Sequence, residues 1–540
     1  MISWLRRSNN NNLRDSLFNL PLFPPQPNSR TSLVKASQNL TNDTNQCITD
    51  FSVAKARRQL AETSEKEWQS RGERRALALF HAAAEHVPAY KDFLKKNQVR
   101  PEKIKTIDDF KKLPLIDKEN YLQAYPLNEL AWYGELSSSQ IISCSSGSSG
   151  RPTFWPRGQI LEAETVLEHE LFLTTFFHID SKPTLFLNCF SMGMYVAGVI
   201  TLNSVMRIGQ KGYPVTIVTP GIYMDDIVRI IPDLSIQFRQ IILAGYPPFI
   251  KDILDEGTHA GIDWSKLSIK FLLAGEGYSE MWRKHISKIV QNGDPIHDFI
   301  NLYGSADAAV LAHETPTSIV TRSRLAEDSE AKQKLFASEL LPSLLQYHPE
   351  HKFFEQVDKE LIFTTPGGVP LVRYNIHDKG GVLTQKDFIA AVPRISEYYE
   401  ELKCQNELWD IPFVYTFGKS DATVMLYGLN IYPENIKNAL ESEALKNMTT
   451  GRFAMSSEYS SNMDQYLLIN IELADKIGLS SNLTQDFQDV IVATLKKKNR
   501  EYQKLFSSIR NKALPVIRLH KKGKSDLFTR AGKQRWIRLG

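Results

Sequence analysis

The chain has 540 residues, 42% of them hydrophobic and 23% charged, and a formal net charge of +4. That length exceeds what one hydrophobic core usually organises, so two folded units, or a large one with a small one attached, are expected. The composition is that of a globular protein, and its nearly neutral balance argues against an extended nucleic-acid surface. Cys47, Cys144, Cys189 and Cys404 are scattered, a spacing that suggests neither a disulfide framework nor a zinc site. Polar residues follow the basic start Met1 to Arg7 where a signal peptide needs an apolar core, and no later run is long enough to span a bilayer. A reducing, cytoplasmic location is the expectation.

Residues 1–70 are rich in Asn, Ser, Pro and Gln and read as an unstructured or loosely docked extension. From Arg74 the spacing turns helical, with Leu77, Phe80, Ala84 and Val87 preceding Pro88. Pro114-Leu115-Ile116-Asp117-Lys118 opens another helix. Then comes the run Ser145-Ser146-Gly147-Ser148-Ser149-Gly150-Arg151. Its hydroxyls and amides can wrap a polyphosphate, because a missing side chain lets the backbone approach an anion closely. It lacks the Gly-Lys-Ser/Thr ending of a P-loop, and on its own it would equally serve as a flexible linker.

Short apolar runs at 184–190, 214–220, 240–245, 269–275 and 298–303 alternate with helical stretches at 195–208, 224–231, 248–255 and 279–290. Such alternation predicts an α/β fold with a largely parallel sheet, whose ligands collect at the carboxyl ends of the strands. Two of those ends are chemically rich: Ala274-Gly275-Glu276-Gly277 and Tyr303-Gly304-Ser305-Ala306-Asp307. Residues 315–359 read as a variable insertion with a charged helix, and strand character resumes at 360–365. A compact α+β unit follows Phe417, with strand alternation through Leu467, Ile469, Ile471 and Leu473 and a helix bearing Leu483, Phe487, Val490, Ile491 and Thr494.

Four stretches, in order, resemble the motifs of the adenylate-forming (acyl-CoA synthetase) superfamily. They are Ser145 to Thr153, Tyr303 to Asp307, Tyr374-Asn375-Ile376-His377-Asp378, and Gly418-Lys419-Ser420-Asp421 followed by Tyr427 to Pro433. Within that superfamily the chain looks most like the phenylacetate-CoA ligase and capsule-biosynthesis adenylating branch. His86-Val87-Pro88-Ala89-Tyr90, Leu113 to Lys118 and Gly275 to Glu280 carry that finer likeness, which runs from about Ala76 to the end. It implies a large N-terminal AMP-binding domain, 71–420, of mostly parallel sheets flanked by helices, and a small mobile α+β C-terminal domain, 421–540. It also implies two half-reactions. A carboxylate attacks the α-phosphate of ATP to give an acyl-adenylate and pyrophosphate, and the thiol of coenzyme A then displaces AMP. Joining two anions demands positioning and charge neutralisation.

The resemblance assigns roles residue by residue. Ser145 to Gly150 hold the β- and γ-phosphates, with Arg151 keeping a charge that relatives often carry as Lys. Tyr303 lies by adenine and Ser305, after Gly304, by the phosphates. Asp307 stands where relatives usually place Glu as the Mg2+ ligand. Asp378 takes the ribose hydroxyls, and Lys419 replaces the usual Arg, a point charge in place of a bidentate fork. Asp421 is the hinge, Gly428 lets a pantetheine arm pass, and Lys533 bridges the carboxylate and the α-phosphate. Glu276 and Gly277 lie against adenine and the acyl pocket. Phe190, Met192, Gly193, Met194, Tyr246 and Pro247 line that pocket and favour an aryl or medium-sized apolar acid. His377 receives no role as a base, because the nucleophile is already a carboxylate. ATP, Mg2+ and coenzyme A are thus the implied cofactors and co-substrates, and a small-molecule carboxylic acid the partner, with no nucleic acid and no membrane span. A homodimer is compatible with this reading. Two alternatives stay open: transfer to an amine or to a separate carrier-protein thiol, and an inactive nucleotide-binding homologue.

Overall fold

The computed structural model describes residues 16–528 without 19, 27–29, 137–138, 145–152, 194–195, 292, 406, 420–423, 476 and 526. An antiparallel ribbon of β1 (Ser139–Cys144) and β2 (Phe154–Gly158) flanks the Ser/Gly run. The main sheet contains β3 (Thr184–Asn188), β4 (Val215–Val218), β5 (Gln240–Gly245), β6 (Ile269–Ala274), β7 (Phe299–Ser305) and β8 (Ala309–His313). It continues with β9 (Ser343–Gln346), β10 (Phe353–Val357), β11 (Glu360–Thr365), β12 (Leu371–Leu383) and β13 (Phe413–Lys419). Their order across the sheet is β10-β11-β12-β13-β9-β8-β7-β6-β5-β3-β4.

The expected parallel sheet is present over β4, β3, β5, β6 and β7, and each crossover is a helix: Val196–Gly209, Met224–Ser235, Pro247–His259 and Glu280–Ile289. Parallel neighbours need such crossovers, which cover both faces, so β3 and β5 are buried along their whole length. Beyond β7 every pairing is antiparallel. The turn from β7 to β8 is too short for a crossover helix and forces the reversal. The sheet is therefore mixed, and its antiparallel half carries Asp378. Residues 315–359 are more than an insertion. They form the helix Pro316–Glu327 and give the sheet β10 and β9, the latter seated between β8 and β13. Four-residue β9 is too short to show periodicity.

The described part of residues 1–70 also differs from the composition-based reading. It forms helices at Arg30–Asp50 and Val53–Glu62, and a third, Glu65–His86, begins within it. Leu17, Phe18, Leu20 and Leu22 are buried. Phe18 stacks on His351 at 4.3 Å, Leu17 N donates to Glu350 at 3.1 Å, and Lys211 donates to the carbonyl of Ile48 at 2.9 Å. These elements pack on the helix Gln159–Phe176, which is buried on every side. A short polar-rich segment can order when its few apolar residues meet a ready-made apolar surface, which composition alone does not reveal.

After β13 comes a smaller unit. A hairpin of β14 (Val424–Leu426) and β15 (Leu429–Ile431) leads to a sheet of β16 (Thr449–Tyr459), β17 (Gln465–Leu473) and β18 (Val516–His520), covered by the helices Ser481–Lys498 and Arg500–Ile509. Leu467, Ile469, Ile471 and Leu473 all point into the core, as their alternation requires. No helix among the described residues is long and apolar enough to cross a membrane. Leu60 is fully buried in the cluster that joins the N-terminal helices to Phe172 and Phe176. Leu60→Ala is expected to cost about 2–5 kcal/mol, read as a lower melting temperature by calorimetry.

Candidate active site

The ends of β5, β6 and β7 and the β14–β15 hairpin share one cavity of about 840 Å3. Three glycines allow that close meeting. A Cβ at Gly275 (φ +93) or at Gly428 (φ +75) would lie 2.6 Å from the Tyr246 ring, and one at Gly304 would lie 2.7 Å from the carbonyl of Ala309.

At the end of β7, Tyr303 donates its hydroxyl to Asp378 Oδ2 at 2.6 Å. Burial, then the Asp378 charge, holds that hydroxyl far above its ordinary pKa, so it remains a donor. Ser305 Oγ accepts from Ala308 N at 3.3 Å and closes the turn on which Asp307 sits. Asp307 is buried; the Tyr374 hydroxyl bonds its carboxylate, and its Oδ2 is left without a hydrogen-bond partner. A buried carboxylate oxygen without a donor is costly unless a cation meets it, so this residue fits the Mg2+ role. His377 lies outside this group. Its Nδ1 is 3.2 Å from Glu360 Oε2 and its Nε2 3.9 Å from Asp117 Oδ2.

Glu276 lines the cavity and also meets the smaller unit. Its Oε1 accepts from Gly428 N at 3.0 Å and its Oε2 from Gln465 Nε2 at 2.7 Å, so both oxygens hold the smaller unit. Gly277 lines the cavity, where a Cβ would meet Ser343 Oγ at 2.6 Å. Phe190 and Tyr246 form an edge-to-face pair 5.3 Å apart in the cavity wall. Met192 instead turns to Asn188 and the close approach at Gly198, and Gly193 is exposed with φ +102. Pro247 opens the helix behind Tyr246. Ser145, Ser146, Gly147, Ser148, Ser149, Gly150, Arg151, Met194, Asp421 and Lys533 lie outside the described residues, as does the Lys419 side chain. The Lys419 backbone is in register with Asp378 across β12 and β13.

Sequence reasoning missed several contributors. Asn301 lines the cavity two residues before Tyr303, with a buried Oδ1 that has no partner. His169 also lines it. Its Nδ1 lies 2.7 Å from the Thr165 carbonyl and so carries the proton, and burial pushes its pKa down to about 4. Nε2 is then an acceptor, also without a partner. His169 gives no sequence signal because its helix is buried all round and shows no amphipathic stripe. Lys118 reaches the cavity because Ile116 bridges to β12, bonding Arg373 O at 3.2 Å and Asn375 N at 2.8 Å. The motif around Leu113 had marked that stretch.

Beneath the loops lies a buried ionic network. Glu314 accepts from Tyr278 Oη at 2.9 Å, Arg283 Nη2 at 2.6 Å and Asn301 N at 3.0 Å. Arg283 also meets Glu280 at 3.0 Å, and Arg322 pairs with Glu280 and donates to Tyr278 O at 2.7 Å. The loop after β6 and strand β7 are therefore fixed to one framework.

No family model matches the chain. It is 22% identical over 373 residues to the phenylacetate-coenzyme A ligase of Thermus thermophilus, a match spanning 68% of this chain and 74% of that protein. A crystal structure of 2-hydroxyisobutyryl-CoA ligase, in complex with 2-HIB-AMP and coenzyme A in the thioesterification state, superposes with a TM-score of 0.59. The match covers 88% of this chain and 89% of that one at 14% identity. The chain has the fold of that ligase.

In this version of the fold, burial pushes the Glu276 carboxyl up to about 7, against the opposing pull of the Gln465 and Gly428 donors. A raised carboxyl contributes stability that is fully present below its ordinary value and lost as pH rises through about 7. The melting temperature is expected to fall from about pH 5 to about pH 8, and Glu276→Gln to flatten part of that fall in calorimetric scans.

Proposed function

We propose that the protein activates a carboxylic acid with ATP to give an acyl-adenylate and pyrophosphate, then transfers the acyl group to coenzyme A. The observation that carries this reading is the convergence of Asp307 and the Tyr303–Asp378 pair on the cavity that Tyr246 and Phe190 close. Asp378, oriented by Tyr303, accepts the ribose hydroxyls, and the Asn301 Oδ1 receives an exocyclic amine of the base. Mg2+ held by Asp307 would neutralise phosphate charge at the reacting phosphorus. The carboxylate needs no base, so the chain's task is to align two anions and exclude water.

The 145–151 loop, Lys533, the hinge at Asp421 and a domain boundary near 420 enter this proposal through the sequence resemblance. The two relatives, named as CoA ligases, support coenzyme A as the acceptor. In the second half-reaction the thiol attacks the acyl carbon and AMP leaves. Gly428 stands at the cavity wall, packed so closely on Tyr246 that any Cβ would strike the ring, and its role beside a thin pantetheine arm enters through the sequence resemblance. The acid has an aryl or branched apolar body, to match Phe190, Tyr246 and Ile200. A hydroxyl on it would satisfy His169 Nε2.

Acid-dependent exchange of pyrophosphate into ATP, over a panel of aryl and hydroxylated aliphatic acids, tests the first step. Asp307→Asn keeps the shape without the charge and is expected to lower exchange by about 10²–10³-fold. Lys533→Ala should abolish most of it. AMP release that requires coenzyme A selects the ligase over transfer to an amine or carrier protein. Exchange that ignores the added acid would sink the proposal.

A further inference from the structure

The helix Arg30–Asp50 ends against the two helices that form one wall of the cavity. Carbonyls at a helix C-terminus lack intrahelical partners and attract a cation, yet the last turn here holds no basic residue of its own. Lys211 supplies that charge from another element. It lies two residues beyond the helix Val196–Gly209 and donates Nζ to the carbonyls of Ile48 at 2.9 Å and Phe51 at 3.3 Å. The same ammonium stands over the Phe51 ring, 5.5 Å from its centre. Its remaining contact is Glu170 Oε1 at 2.6 Å, on the helix Gln159–Phe176.

Glu170 is fully buried, and burial raises its carboxyl against the pull of Lys211 and of Tyr213, whose hydroxyl donates at 2.8 Å. A buried carboxylate is tolerable only with a partner, so parting it from Lys211 is costly. One ammonium therefore fastens three pieces: the N-terminal extension and both cavity helices. Neighbouring bonds repeat the pattern. Arg207 donates to Asn45, Arg57 Nε to Thr175 Oγ1 at 2.9 Å, and Asn203 Nδ2 to Glu162 Oε2 at 3.1 Å.

The two helices carry His169, Ile200 and Thr201 into the cavity wall, and His169 adjoins Glu170 in the chain. Asn301 and the loop at Tyr278 stand instead on the Glu314 network, which shares no member with the Lys211 knot. The acid side and the nucleotide side of the cavity thus rest on separate frameworks. Resting on the reading above, we propose that Lys211 and Glu170 are positioning residues for the acid, and that the N-terminal extension they tie down sets the acyl pocket while the nucleotide side stands without it.

A KM comparison tests this. Lys211→Met combined with Glu170→Gln cuts the tie without leaving a buried charge unpaired. The probe is the most active acid of the aryl and hydroxylated aliphatic panel, in acid-dependent pyrophosphate exchange. The KM for the acid should rise about 10-fold or more, since misplacement by about 1 Å can cost 10²-fold. The KM for ATP should stay within about twofold of the parent. Lys211→Arg keeps the charge and its donors, and should hold the acid KM within about threefold of the parent. Equal rises in both KM values would mark a general loosening and overturn the proposal. No rise in either, or a Lys211→Arg variant as impaired as the double one, would overturn it too.

Hydrogen–deuterium exchange of the full chain without ligands reads the tie itself. Protection over residues 160–176 and 196–209 should fall about tenfold in the double variant and hold over 298–313. Loss over all three segments, or over none, would overturn the tie. Absence of acid-dependent exchange in the parent would count against the two-step reading, while the deuterium comparison would still judge the tie.

Discussion

The loops that carry the chemistry rest on a buried carboxylate, Glu314. It accepts from Tyr278 in the loop after β6, from Asn301 in β7 and from Arg283 in the helix between those strands. Through Arg283 and Glu280 it is linked to Arg322, and so to the helix Pro316–Glu327. Charges so buried are tolerable only when each has partners in good geometry, and breaking one such pair costs about 3–5 kcal/mol. The network thus sets where Glu276 and Tyr303 stand before any ligand binds. That is the preorganisation an anion-joining reaction needs.

On this framework the reversal at β7 has a functional consequence. The parallel half of the sheet presents strand ends to one edge, where Tyr246, Gly275 and Tyr303 gather. The antiparallel half returns β12 to the same region, so that Asp378 meets Tyr303 although 74 residues lie between them in the chain. The N-terminal helices cover the helix Gln159–Phe176, which in turn lets His169 be a neutral, buried acceptor in the cavity wall.

Much of this was legible in the sequence. The strand-and-helix alternation between 184 and 303 matches the observed elements closely, because parallel strands are apolar throughout and their crossover helices are periodic. The motif around Tyr303 and the one around Asp378 stood out, and the structure joins them by a hydrogen bond. Glu276 was legible as a cavity residue, whereas its bonds to Gly428 and Gln465 were not, since nothing local says that those two will arrive from another unit. Met192 and Gly193 were drawn into the acyl pocket by their place after β3, yet Met192 packs back onto the first turn of the next helix. The docking of the described residues within 16–62 was hidden because composition counts polar residues and not the surface that awaits the few apolar ones.

By itself, then, the sequence determined what depends on local spacing and residue type: the α/β alternation, the glycines at close approaches, and the acids and hydroxyls at strand ends. Period and steric size act within a few residues, so one chain suffices to read them. Tertiary structure alone decided which of those groups meet. The mixed sheet, the Glu314 network, the orphaned oxygen of Asp307 and the Gln465–Glu276 bond arise from burial, where each polar atom must find whatever partner the packing brings.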